Sequence, residues 1–262
     1  MNSTPLGNST IHRCVVAAVA MFFGLAAAIC NATSISQESK TLSNNSTTSK
    51  VLTAQQQAIV PIAASAAAGD MGLLDVALNQ GLDAGLTVSD VREVLVQLYA
   101  YAGFPRSLNA LGELMKVLAS RKERGIGDAP GEAPSHPAPK GEALLAAGTA
   151  NQTKLAGGPV KGPVFNFAPA IDEYLKTHLF GDIFERDNLD WQSREIATVG
   201  MLAALPGAEP QLQAHMRISM NTGITAEQLK QLVQVLMERV DVGASRRAQE
   251  ALDRQLAAVS GR

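Results

Sequence analysis

Hydrophobic positions recur every three or four residues in two long stretches, from about Leu52 to Leu118 and from about Ala168 to Ala258. This spacing places them on one face of a helix. Such faces are formed by Val88, Val91, Leu95 and Leu98, and again by Leu229, Leu232, Val233 and Leu236. No stretch shows the sustained alternation and β-branched enrichment of a half-exposed strand. The pattern therefore predicts an all-α protein.

The two helical stretches share a motif that indicates a duplication. Residues 85–92 (GLTVSDVR) align with residues 223–230 (GITAEQLK), 138 positions later. In each, a glycine can end one helix and a threonine can cap the next. Asp90 or Gln228 at the third helical position would close a capping box. Each copy is predicted to be a helix, a glycine turn, a helix, the shared turn and another helix.

The segments outside the copies differ in composition. Residues 33–50 are rich in Ser, Thr and Asn and are predicted to be a flexible spacer. Residues 121–142 combine Pro, Gly and charge, which disfavours regular structure. We therefore expect a first domain at 51–119, a Pro/Gly-rich linker at 120–165 and a second domain at 166–262.

The N-terminus has the features of a secretory signal. A hydrophobic run from Cys14 to Cys30 follows Arg13, and small residues precede a possible cleavage point near Ala32. We expect residues 1–32 to be removed, leaving a periplasmic or secreted protein without stable membrane insertion. The alternative is an uncleaved anchor. Because both cysteines lie in this segment, the mature chain would have no disulfide, thiol nucleophile or thiolate ligand.

Composition excludes several functional classes. The 262 residues are 46% hydrophobic and 18% charged, with 22 basic against 24 acidic residues. There is no basic block for nucleic acid and only one run that approaches membrane-spanning length. Serine-nucleophile, phosphate-loop and dinucleotide motifs are missing, and the histidines lack metal-ligand spacing. We expect neither a cofactor nor a metal.

One pair of predicted helices carries candidate chemistry. Helices at Asp190–Leu205 and Gln211–Asn221 should fold back around Gly207, which brings Glu195 and His215 within reach of each other. The hypothesis is that His215 is a general acid/base and Glu195 orients it. Arg194 would bind a substrate anion beside them. The alternative is a buried Glu–His hydrogen bond and a surface arginine.

Two further positions refine this hypothesis. Tyr99 and Tyr101 are candidates to line a pocket as hydrogen-bond partners of substrate, although they also fit a helix end before Pro105. In the first copy the positions equivalent to the cluster hold Gln57, Ala58 and Ala77. Only the second copy is therefore expected to carry chemistry.

At these residues the sequence resembles the carboxymuconolactone decarboxylase family, which also contains alkylhydroperoxidase D. The resemblance is carried by residues 97–111 (QLYAYAGFPRSLNAL), 178–199 (HLFGDIFERDNLDWQSREIATV) and 207–225 (GAEPQLQAHMRISMNTGIT). It implies two tandem alkylhydroperoxidase D-like domains, a pocket between helices or subunits, and assembly into trimers or hexamers. Apolar residues on more than one helix face, including Val94, Val96 and Val235, also favour a homo-oligomer.

The family contains two activities that the sequence separates. The hydroperoxidase branch needs two thiols, and counting back from His215 places them at Ala208 and Gln211. The decarboxylase branch needs no cysteine and is similar at Arg194, Glu195 and His215. The expectation is an exported, cofactor-free decarboxylase-like enzyme for a small carboxylated or lactone-type acid. The main alternative is a non-catalytic oligomeric scaffold or small-acid-binding protein, and the minor one is a peroxidase-like activity.

Overall fold

The computed structural model describes residues 51–261, which belong to one compact unit. The predicted signal segment with its two cysteines and the predicted spacer lie outside the described residues. Within the described range there are eleven α-helices, one π-helical segment and no strand, so the all-α prediction is confirmed. None of the described helices is long and apolar enough to cross a membrane.

The helices fall into two equivalent sets with further elements between them. The first copy contains α1 (Ala54–Ala68), α2 (Met71–Asp83), α3 (Val88–Gln97) and α4 (Tyr99–Glu123). Between the copies lie α5 (Glu142–Ala156), α6 (Pro163–Phe167), α7 (Pro169–Tyr174) and a π-helical segment (Leu175–Ile183). The second copy contains α8 (Trp191–Ala203), α9 (Glu209–Asn221), α10 (Ala226–Arg239) and α11 (Val242–Ser260).

Matching local hydrogen bonds show the duplication. Thr87 caps α3 and Thr225 caps α10, each within a reciprocal capping box, as predicted. The Ser107 hydroxyl donates to the Leu95 carbonyl at 2.7 Å, and the Ser245 hydroxyl donates to the Val233 carbonyl at 3.0 Å. These two serine contacts are separated by the same 138 residues as the capping boxes.

The copies share one hydrophobic core. Helices α1 and α8 occupy equivalent places in their copies and pack against each other. Their backbones come close because α8 carries Gly200, where a β-carbon would lie 3.0 Å from the Val60 carbonyl oxygen. Every residue of α1 from Ala58 to Ala67 is buried. The two copies therefore bury each other's apolar faces rather than forming separate cores.

The predicted linker contains more structure than its composition indicates. Helix α4 continues to Glu123, and α5 lies entirely inside residues 120–165. Residues 129–131 cover the start of α3, where the amides of Val88 and Ser89 donate to the Ala129 and Pro130 carbonyls at 2.9 and 3.0 Å. These amides have no partner within their own helix, so the linker satisfies them.

Candidate functional site

The predicted pair of Glu195 and His215 meets inside the second copy. Helices α8 and α9 run back along each other after a turn in which Gly207 adopts a φ of 90°. The Nδ1 atom of His215 lies 2.8 Å from Oε2 of Glu195. Glu195 is 0% exposed and His215 is 7% exposed. The Glu–His hydrogen bond is therefore buried, as both the catalytic hypothesis and its structural alternative require.

A cavity adjoins this pair. It has a volume of about 560 Å³, within the range of sites for small organic molecules. His215 lies in its wall together with Tyr101, whereas Glu195 lies behind the histidine and does not line it. Most of the remaining wall is apolar and comes from the segment between the copies and from α9.

Only one of the two histidine nitrogens has a hydrogen-bond partner among the described residues. Nδ1 is held by Glu195, while Nε2 makes no hydrogen bond to any described residue. The second carboxylate oxygen of Glu195, Oε1, is also buried without a hydrogen-bond partner among the described residues. With Nδ1–H donating to the carboxylate, the Nε2 lone pair is free to accept a proton.

Tyr101 contacts the histidine from the first copy. The two rings meet edge to face, with centroids 5.7 Å apart. The Tyr101 hydroxyl is 3.2 Å from the Thr198 hydroxyl, to which the Gln97 amide donates at 2.8 Å. Burial, and then the negative charge of Glu195, raise the pKa of Tyr101, so its hydroxyl stays protonated. Residues of α3 and α4 thus form one side of a site whose Glu–His pair belongs to the second copy.

Tyr99 lies elsewhere. Its ring stacks on Phe104 with centroids 4.7 Å apart, and it packs against the smaller core formed by α5 and the π-helical segment. It does not line the cavity. Of the two predicted tyrosines, the structure brings only Tyr101 to His215.

Arg194 also lies away from the cavity. It is 0% exposed, and its guanidinium donates to Glu93 Oε2 at 3.1 Å and to the Arg186 carbonyl at 2.8 Å. Arg186 binds the other oxygen of Glu93 at 2.6 Å. The position of Arg194 therefore differs both from the predicted anion-binding site beside His215 and from the alternative of a surface arginine. The physical reason is Glu93, a buried carboxylate on α3 that neutralises the cation.

The electrostatics of Glu93 show how tightly this pairing holds. Burial alone would raise the pKa of Glu93, but the hydrogen bonds from Arg186 and Arg194 outweigh it and lower the pKa to about 2. Burial lowers the pKa of Arg194, against the opposing effect of Glu93. The network is a structural link between the copies, because α3 lies in the first and α8 in the second.

A cation that the sequence pattern does not predict also lines the cavity. Arg217 follows His215 by two residues on α9, is exposed, and makes no ion pair or hydrogen bond with any described residue. Its position on the same helix as His215 was the only available signal.

Ala208 and Gln211, the positions expected for thiols in the hydroperoxidase branch, line the same cavity. Across residues 51–261, no group of three or more His, Cys, Asp or Glu side chains is placed to hold a metal ion.

Comparisons with known proteins agree with the duplicated architecture. The model of the carboxymuconolactone decarboxylase family matches residues 41–115 and again residues 169–254, together more than half of the chain. A 4-carboxymuconolactone decarboxylase from Acinetobacter baylyi is 29% identical over 68 residues. That match covers 26% of this chain and spans 50% of the length of the relative. The predicted family and the tandem repeat are therefore confirmed.

Proposed function

The chain belongs to the carboxymuconolactone decarboxylase family, and from this premise we propose that it is an exported enzyme that needs no cofactor. Its reaction would be acid/base chemistry, of the carboxy-lyase type, on a small carboxylated or lactone-type organic acid. The supporting observation is the buried contact of 2.8 Å between Glu195 and His215, whose ring lies in the wall of the cavity.

The geometry supports a proton-transfer role for His215. Glu195 would hold the imidazole in the tautomer with a free Nε2 and would stabilise the imidazolium that forms when Nε2 takes a proton. Tyr101, kept neutral and held by Thr198, lies in the cavity wall with its ring against the imidazole. In a decarboxylation, the bond between the carboxylate and the neighbouring carbon breaks, carbon dioxide leaves, and the electron pair moves toward a conjugated carbonyl. His215, protonated at Nε2 by solvent, then supplies the proton that the product gains and returns to its neutral form.

Replacement of His215 by glutamine tests this proposal. Positioned proton transfer typically contributes about 10²–10⁴-fold, so we expect His215→Gln to remove most carbon dioxide release from carboxylated lactones and keto acids. Glu195→Gln should act through the same proton and cost less. His178→Gln is the matched control, because His178 is exposed and does not line the cavity. A lower melting temperature with unchanged turnover in His215→Gln would show that the Glu–His pair is only structural.

A second function, binding of a small acid without catalysis, is favoured by one observation. The catalytic hypothesis placed Arg194 with Glu195 and His215, but Arg194 is occupied by Glu93. A binding protein or scaffold tolerates that separation. It predicts that ligands bind in the cavity with no turnover and that His215→Gln leaves their affinity nearly unchanged.

A peroxidase-like activity is the weakest of the candidate functions. Ala208 and Gln211 stand at the two positions where that branch of the family needs thiols. We expect no reduction of hydroperoxides with dithiol donors, and turnover well above a control without enzyme would contradict this expectation.

The proposed compartment, periplasmic or extracellular, is tested by mass spectrometry of the N-terminus, since export predicts a chain shortened near Ala32.

A further inference from the structure

The charged groups of the cavity wall have one sign. Arg217 is the only Arg or Lys in the described lining, His215 is its only histidine, and that lining includes neither Asp nor Glu. Because Arg217 has no acidic partner among the described residues, its positive charge is not neutralised at the cavity. A guanidinium in this state selects an anion, and its forked donors match a carboxylate.

A large part of the lining is apolar and belongs to the segment between the copies. It is formed by Val160, Val164, Phe165, Ile171, Leu175 and Leu179. Val164 is 58% exposed and Ile171 is 45% exposed, although both are apolar and border the cavity. No described element covers them, so an apolar ligand surface placed there would be removed from water.

We propose that the cavity binds a carboxylic acid with an extended apolar body, whose carboxylate pairs with Arg217 and whose hydrocarbon part packs on the wall formed by residues 160–179. This rests on the proposed function in that it takes the cavity beside His215 as the substrate site. It assigns the anion-binding role to Arg217 in place of Arg194. It also distinguishes this chain from an enzyme for small polar polyacids, because a second or third carboxylate would meet the apolar wall.

Calorimetric titration of the purified full chain with straight-chain acids from butanoate to decanoate tests the ligand class. Each added methylene that is buried should tighten binding about fourfold until the cavity is filled. Decanol, which has the same chain without the charge, should bind at least about tenfold more weakly than decanoate. Succinate and a carboxylated lactone provide the polar, multiply charged comparison and should bind more weakly than decanoate.

Two variants separate the two ends of the ligand. Arg217→Gln should reduce decanoate affinity about tenfold or more and leave decanol affinity unchanged, because it removes a charge-assisted hydrogen bond. Val164→Thr keeps the shape of the side chain but makes it polar. It should reduce the increase in affinity that each added methylene of the alkanoate produces. The matched controls are Arg246→Gln and Val242→Thr, exposed positions on α11 outside the cavity, and both should bind as the unchanged protein does.

Each contrary result has a distinct meaning. The ligand class is wrong if succinate or the carboxylated lactone binds more tightly than decanoate, if Arg217→Gln keeps the preference for acid over alcohol, or if no alkanoate binds at millimolar concentration. Tight binding of decanoate without any turnover of apolar carboxylates contradicts the enzyme and leaves the ligand class standing. Turnover of a polar diacid without decanoate binding contradicts the ligand class and leaves the proposed enzyme standing.

Discussion

Two adjacent residues on α8 have different partners. Glu195 binds His215 on α9, whereas Arg194 binds Glu93 on α3. Neighbours in a helix point about 100° apart, so one can reach the cavity histidine while the next reaches the other copy. The sequence predicted the first contact because both partners flank a single turn. It could not predict the second, because Glu93 lies about a hundred residues away and its position depends on how the copies pack.

The pairing with Glu93 predicts that Arg194 supports stability rather than substrate affinity. Arg194→Met removes one of the two arginines that neutralise a fully buried carboxylate, and breaking such a pair costs about 3 kcal/mol of unfolding free energy. Urea unfolding measures this loss. The Michaelis constant for a carboxylated substrate should hardly change. A large increase in this constant without loss of stability would show that Arg194 binds the substrate.

Glu93 also predicts how stability depends on pH. Its pKa is about 2 in the folded protein against 4.5 for an ordinary glutamate, so folding favours the ionised carboxylate. The resulting stabilisation is complete above about pH 5 and is lost as the pH falls toward 2; it amounts to about 3 kcal/mol. From pH 5 down to pH 2, the unfolding free energy of the unchanged protein should fall by about 3 kcal/mol more than that of Glu93→Gln. If the unfolding free energies of the two proteins fall equally with pH, the low pKa of Glu93 is wrong.

At the level of helices, the parts that follow local rules were predictable. The Gly-Leu/Ile-Thr turns, both capping boxes and the return of α9 along α8 depend on residues close together in sequence. Helix α5 was not predicted, because Pro and Gly dominate the residues before it. Its place is set by a distant contact: at Gly148 a β-carbon would lie 1.7 Å from the Lys176 carbonyl oxygen of the π-helical segment.

That contact predicts a strong effect of one methyl group. Gly148→Ala cannot be accommodated unless α5 moves off the π-helical segment, whose Leu175, Leu179 and Phe180 line the cavity. We expect a loss of about 1–3 kcal/mol in unfolding free energy and weaker ligand binding. Gly72→Ala is the matched control on α2. A β-carbon at this exposed position meets only Asp70 Oδ1 within 4 Å, at 3.6 Å, and alanine should stabilise the helix by up to about 1 kcal/mol. Equal effects of the two substitutions would show that α5 does not pack as described.

At the scale of the whole molecule, the basis for expecting an oligomer changes. The sequence predicts surplus apolar surface at Val94 and Val235, but both are buried within the chain, and Val96 is partly buried. Apolar surface is instead exposed along α4. Phe104 and Leu108 are each 64% exposed and Met115 is 72% exposed. Their spacing places them on one face of the helix, next to one another.

We expect this face of α4 to lie between subunits, in a trimer of duplicated chains that corresponds to a hexamer of single domains. Light scattering of the full chain at micromolar concentration should then give about three times the chain mass. Leu108→Lys combined with Met115→Lys should shift the mass toward the monomer, because two charges would be buried without partners. Val259→Lys on α11 is the control; that side chain is 53% exposed, outside the α4 face, and the variant should keep the oligomer. A monomer mass for the unchanged protein would rule out the trimer. An oligomer that survives the double substitution on α4 would place the subunit contact on another surface.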